Sequence, residues 1–184
     1  MNLAVFLFHP TSIRIIELCC EVNYMRELEY NREDAVAYAR RWAFDRNPAY
    51  YDFEDIGGDC TGFISQCIFA GAKVMNFTPT YGWYYISASD RTASWTGVEY
   101  LYDFLTTNQS VGPYGRVIEQ DEAQIGDIIQ LGRYSGDFYH SLIITETEPQ
   151  ILIAAHSYDA LDRPLYSYDY DVARFIHIEG VRAW

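Results

Sequence analysis

Cys60 stands in the run Gly57-Gly58-Asp59-Cys60-Thr61-Gly62-Phe63, where a glycine pair gives way to an apolar helical stripe. A helix start leaves backbone N–H groups unpaired and carries about half a positive charge. A thiol there is expected to have its thiolate stabilised and its pKa lowered. The same N–H groups can receive the oxygen of a polarised carbonyl, and glycines let a substrate approach the backbone closely. Asp59 works against the thiolate as a neighbouring negative charge. An isolated cysteine is more often a small buried apolar residue. Cys67, deeper in the same stripe with no glycines around it, is read that way.

A cysteine nucleophile needs a base, and the histidines are His9, His140, His156 and His177. The β-type stretches around His140 and His156 flank Glu146-Thr147-Glu148-Pro149-Gln150. A five-residue hairpin loop centred on Glu148 would place His140 directly opposite His156. Opposed side chains have Cβ atoms about 4.5–5.5 Å apart, so one ring could act as base while the other fixes its tautomer. A slip of one residue would send the rings to opposite faces. Cys60, His140 and His156 would also serve as a zinc set, although the spacing is not a finger pattern and no fourth ligand is evident.

The elements that must position these residues read as helices first and strands second. Apolar residues at helical spacing predict helices over 33–44, with Asn31 as N-cap, over 60–72 and over 95–105. Short β-branched runs bounded by Gly, Pro, Asp or Ser predict strands over 116–119, 127–131, 139–145, 150–156 and 173–178. The fold class is α+β, with N-terminal helices packed on an antiparallel sheet. The stretch 76–94, including Trp83-Tyr84-Tyr85, reads as an aromatic loop. Trp83 there is read equally as packing or as a sugar contact. The alternating Tyr166, Tyr168 and Tyr170 read as a half-buried strand rather than a sugar-binding row.

The chain has 184 residues, of which 49% are apolar and 21% charged, which suits one globular domain rather than a disordered chain. A net charge of −13 argues against nucleic-acid binding and against attraction to anionic lipid. Four cysteines without a CxxC read as free thiols, since Cys60 and Cys67 on one helix would stand about 10.5 Å apart. The apolar stretch 3–8 has no basic start and is too short for a signal peptide or a membrane span. By sequence the chain is therefore expected in the cytoplasm, with no transmembrane segment. Residues 1–29 are expected to form an N-terminal extension, with Met25 as a possible start, and 30–184 a single domain.

Gly58-Asp59-Cys60-Thr61-Gly62-Phe63, then Gly126-Asp127-Ile128-Ile129, then His140-Ser141-Leu142 resemble the papain-like cysteine peptidases of bacterial cell walls, in the order shared by the NlpC and CHAP branches. Tyr30-Asn31-Arg32-Glu33-Asp34-Ala35, Asn47-Pro48-Ala49-Tyr50, Trp83-Tyr84-Tyr85 and Ser94-Trp95 more closely resemble the Putative amidase domain family, over about residues 30–180. That resemblance implies a papain-like fold, with Cys60 as nucleophile, His140 as general base and His156 as the orienting third group, Asp159 being its rival. Asp59 would meet a substrate amine; apart from the resemblance, the aromatic stretch itself makes Trp83 and Tyr84 candidates for contact with a sugar of the substrate. The implied reaction is cleavage of an amide in peptidoglycan, in the stem peptide or between muramic acid and L-alanine, through an acyl-enzyme and without a cofactor. It also implies an extracytoplasmic role. The family often has Asn where this chain has Gly62. A non-catalytic domain that binds a glycan or peptide on the same fold is the alternative.

Overall fold

The computed structural model describes residues 24–184. The expectations for the apolar stretch 3–8, for His9 and for the thiols Cys19 and Cys20 lie outside the described residues. β1 (Arg26–Leu28) precedes α1 (Arg32–Trp42), whose N-cap Asn31 accepts the Asp34 N–H at 2.9 Å. Acidic residues open α1 and Arg40 and Arg41 close it, matching the helix dipole. Ala35, Val36 and Ala39 face inward at helical spacing. α2 (Cys60–Ala72) is buried from Cys60 through Ile68 and packs between α1 and the sheet. A helix so enclosed is apolar over most of its surface, and its buried Ser65 and Gln66 accept from Trp83 and Tyr38.

The aromatic loop contains a small hairpin, β2 (Tyr85–Ser87) with β3 (Asp90–Arg91). The helix expected over 95–105 is two helices, α3 (Ala93–Thr96) and α4 (Val98–Thr107). Gly97 between them is extended, at φ −110° and ψ 131°, and ends the first helix where the second begins. A Cβ there would meet Tyr100 Cδ2 at 2.7 Å.

The remaining chain forms β4 (Gly112–Ile118), β5 (Ile128–Gly132), β6 (Phe138–Glu146), β7 (Leu152–Ala155), β8 (Ala160–Pro164) and β9 (Val172–Ala183). Every pairing is antiparallel, in the order β1-β9-β5-β6-β7-β8. β9 holds the sheet together: β5 and β1 take one edge and β4 the other. The fold class is α+β with helices against an antiparallel sheet. No helix among the described residues is long and apolar enough to cross a membrane.

Alternation along the strands splits the core in two. Ile128, Ile143, Ala154 and Ile176 meet the helices, whereas Ile129, Leu142, Ile144, Ile153 and Phe175 form a second cluster. Both faces are covered, so the strand sequences are nearly continuous in apolar residues. β8 closes against β7. Tyr166 lies in a 3-10 turn, Leu165–Ser167, rather than in a strand.

The hairpin register differs from the one expected. Ile143 pairs with Ala154 and Ile144 with Ile153; a bulge then puts Glu146 against Leu152. The ladder is displaced by one residue, and β7 ends at Ala155, before His156. His140 therefore does not face His156; its antiparallel partner is Leu131 on β5.

Candidate active site

Gly57 and Gly58 both adopt left-handed φ, near 100°, and turn the chain into α2. A Cβ on Gly58 would lie 3.2 Å from Ser157 Oγ. Asp59 occupies the N-cap position but its side chain does not cap the helix. Oδ1 instead accepts the Phe53 N–H at 3.2 Å, and Oδ2 lies 2.7 Å from His156 Nδ1. The first N–H groups of α2 are thus left without a side-chain cap beside Cys60. Thr61 Oγ1 meets Ser141 Oγ at 3.0 Å and ties this helix end to β6.

Cys60 and His140 line one cavity of ≈ 500 Å³, together with Tyr139, Tyr158, Tyr168 and Arg133. Larger cavities of ≈ 760 and ≈ 740 Å³ lie elsewhere, one beside Glu119 and Glu148 and the other beside Arg32 and His177; neither includes a cysteine. We place the candidate site in the smaller one because it alone of the three joins a thiol to an imidazole.

Burial pushes the Cys60 thiol above its ordinary value. The Ser141 N–H and the Thr61 hydroxyl and N–H act the other way, and the Asp59 charge adds to the rise. This corrects the expectation of a lowered thiol: the helix end is enclosed by the sheet, and desolvation outweighs the N–H groups. Burial likewise holds His140 down at about 4, with Glu54 opposing and Arg163 assisting. At neutral pH the cavity therefore holds a thiol and an uncharged imidazole. That imidazole's Nε2 is buried and has no partner among the described residues.

His156 sits elsewhere. Its ring stacks on Phe63 at 3.8 Å between centroids, and Nε2 donates to the Trp42 carbonyl at 2.9 Å. With Nε2 donating, the Nδ1···Oδ2 contact to Asp59 needs a proton of its own between the two atoms. Both residues are 1% exposed. Asp59 is therefore closed to a substrate amine, and His156 has no nitrogen left for zinc or for His140. Among the described residues no group of three His, Cys, Asp or Glu side chains is placed to hold a metal ion. Asp159, the rival third group, is held by both terminal nitrogens of Arg46 at 3.0 Å.

Trp83 and Tyr84 lie outside this cavity. Trp83 has no exposed surface; it packs on Trp95 and Phe104 and donates to Ser65 Oγ at 3.0 Å. Tyr84 stacks on Phe77, with its hydroxyl toward Asp90. The residues that do line the cavity include several without a motif to mark them in the sequence. Ser157 accepts the Asp59 N–H at 3.0 Å and donates to Glu54 at 2.6 Å. Ser157 and Tyr158 both have positive φ in the β7–β8 turn, and Tyr158 is exposed at the rim. The alternation of Tyr166, Tyr168 and Tyr170 was a usable signal, but it pointed to a strand. Gly126-Asp127 serves the scaffold and not the cavity. Asp127 accepts from Arg32, the Gln124 and Ile178 N–H groups and His177, pinning α1 to β5 and β9.

The family model described as Putative amidase domain matches residues 29–178. The chain belongs to this family. It is also 33% identical over 149 residues to a Bacillus subtilis (strain 168) protein named Uncharacterized protein YhbB, covering 78% of this chain and 46% of that one. The chain thus spans about half the length of the curated relative it matches. No solved structure matches it significantly. The family carries the coarse assignment, a hydrolase acting on amides.

Proposed function

We propose that this family member is a cysteine-dependent amidase of papain-like fold. The observation that carries the reading is the meeting of Cys60, at an uncapped helix N-terminus, and His140 in one cavity. His140 takes the thiol proton as Sγ attacks the amide carbon. The carbonyl oxygen becomes an oxyanion held by the first N–H groups of α2. The C–N bond breaks as His140 returns the proton to the leaving amine. Water, losing a proton to His140, then attacks the thioester; the C–S bond breaks and the thiolate takes the proton back. A neutral imidazole suits the first step, because only the unprotonated ring can accept. In this scheme Asp59 and His156 act as positioning residues that fix the start of α2.

The substrate we propose is peptidoglycan, cut in the stem peptide or between muramic acid and L-alanine. The motif order Asp59-Cys60-Thr61-Gly62, Gly126-Asp127, His140-Ser141 supports this class. A second reading, a binding domain without catalysis, has the raised and 8%-exposed Cys60 thiol in its favour. Muropeptides incubated with the protein and analysed by mass separate the two. The expected result is new fragments from wild type and none from Cys60→Ala at unchanged circular dichroism. Hydrolysis that survives Cys60→Ala refutes a cysteine mechanism; ligand retention without cleavage by wild type supports the binding domain.

A further inference from the structure

Two buried polar atoms at the candidate site lack a partner of full hydrogen-bond geometry, His140 Nε2 and Tyr168 Oη; the Arg163 guanidinium lies close to the phenolic oxygen and opposes the rise that burial gives Tyr168, which leaves the oxygen an acceptor with a lone pair to spare. Both residues line the same cavity, and their rings lie 5.9 Å apart at 35°. A buried polar atom left without a partner is costly, so two such atoms on one cavity ask for each other or for a shared water. The other candidates for orienting His140 are engaged elsewhere, His156 with Asp59 and Trp42 and Asp159 with Arg46.

We infer that Tyr168 is the positioning residue for His140. Its hydroxyl accepts the Nε2–H, directly after a small ring movement or through one water. This holds the imidazole in the tautomer whose Nδ1 lone pair is free for the Cys60 proton. Catalytic hydrogen bonds are often long without substrate and tighten when it binds. Arg163 lies 4.0 Å over the Tyr168 ring and the second core packs against it, so the phenolic oxygen sits on a rigid support. A hydroxyl also brings no charge into the cavity and remains an acceptor when His140 becomes an imidazolium. The inference rests on the reading of Cys60 and His140 as nucleophile and base.

The test needs no substrate. Ring-nitrogen NMR at neutral pH reports the tautomer of His140, its signals identified by their loss in His140→Gln. Alkylation of Cys60 by iodoacetamide reports the base. The expected result is an Nε2–H imidazole in wild type. Tyr168→Phe, which keeps the ring and its contact with Arg163, is expected to shift the ring toward Nδ1–H. It should also slow alkylation about three- to tenfold. A wild-type ring in the Nδ1–H form overturns the inference without any variant. If Tyr168→Phe changes neither readout while His140→Ala slows alkylation, Tyr168 has no such role and the base assignment stands. If His140→Ala leaves alkylation unchanged, the base assignment falls and this inference with it.

Discussion

Removing the His156 ring should destabilise the protein far more than removing the charge of its partner. Both residues are 1% exposed, and Nδ1 lies 2.7 Å from Asp59 Oδ2. His156→Ala strands a buried carboxylate, whose nearest remaining cation is Arg46 Nε at 3.9 Å. Breaking a buried pair from one side costs about 3–5 kcal/mol, and loss of the stack on Phe63 adds about 0.5–1.5 kcal/mol. A domain of this size is stable by roughly 5–15 kcal/mol, so the variant should sit near its unfolding threshold. Asp59→Asn is different. The amide oxygen can still accept from Phe53, and the amide nitrogen can donate to Nδ1 of a neutral ring whose Nε2–H stays on Trp42. Every partner is kept with one proton fewer, and the loss should stay within about 1 kcal/mol. Asp59→Ala leaves His156 Nδ1 and the Phe53 N–H unpaired and should approach the cost of His156→Ala. Urea unfolding of the three variants, with the Asp59→Ala/His156→Ala double variant closing the cycle, measures these values. The proton accounting is wrong if Asp59→Asn falls as far as Asp59→Ala, or if His156→Ala costs less than about 1 kcal/mol.

Two further outcomes follow from the same geometry. His140 is held at about 4 in the fold and returns to 6.5 when unfolded, so between those values the unfolded chain binds more protons. The stability present above pH 6.5 should be lost as pH falls to about 4, by roughly 3 kcal/mol in total. Glu54 and Arg163 are the charged neighbours of His140, and the comparison is therefore made against His140→Gln, which should lack this component of the urea-midpoint slope; parallel slopes refute it. Gly62→Ala should lower Tm even though alanine gains about 1 kcal/mol of helix propensity. Its Cβ would stand 2.9 Å from Asp59 Oδ1, an atom pinned by the Phe53 N–H rather than free to swing. A raised Tm would show that Asp59 yields.

How much of this was legible in the chain depends on the range of the interactions. Periodicity and capping are local, so the helix over 60–72 and the cap Asn31 could be read directly; the helix over 95–105 missed Gly97, whose extended backbone is compatible with a helical pattern on either side. β8 and the hairpin β2–β3 escaped because short polar strands carry little apolar alternation. The helix start at Cys60, with its glycine pair and a histidine on a strand downstream, was also visible, since each signature occupies a few adjacent residues.

What the residues alone determined was the cast: one thiol at a helix N-terminus, a strand histidine, and an α+β order of elements. Pairings were decided by the tertiary structure. The turn sets Glu146 against Leu152, and beyond a bulge Ile144 pairs with Ile153, one residue off the expected register; that offset is enough to separate His140 from His156. The direction of the Cys60 thiol was likewise not local: a helix end lowers it and enclosure raises it, and only the packed sheet sets how much water remains. Asp59 could be placed beside Cys60 from sequence, but its turn inward to His156 needed α1, α2 and the β7–β8 turn brought together. Register and burial are collective properties of packing, and no residue encodes them alone.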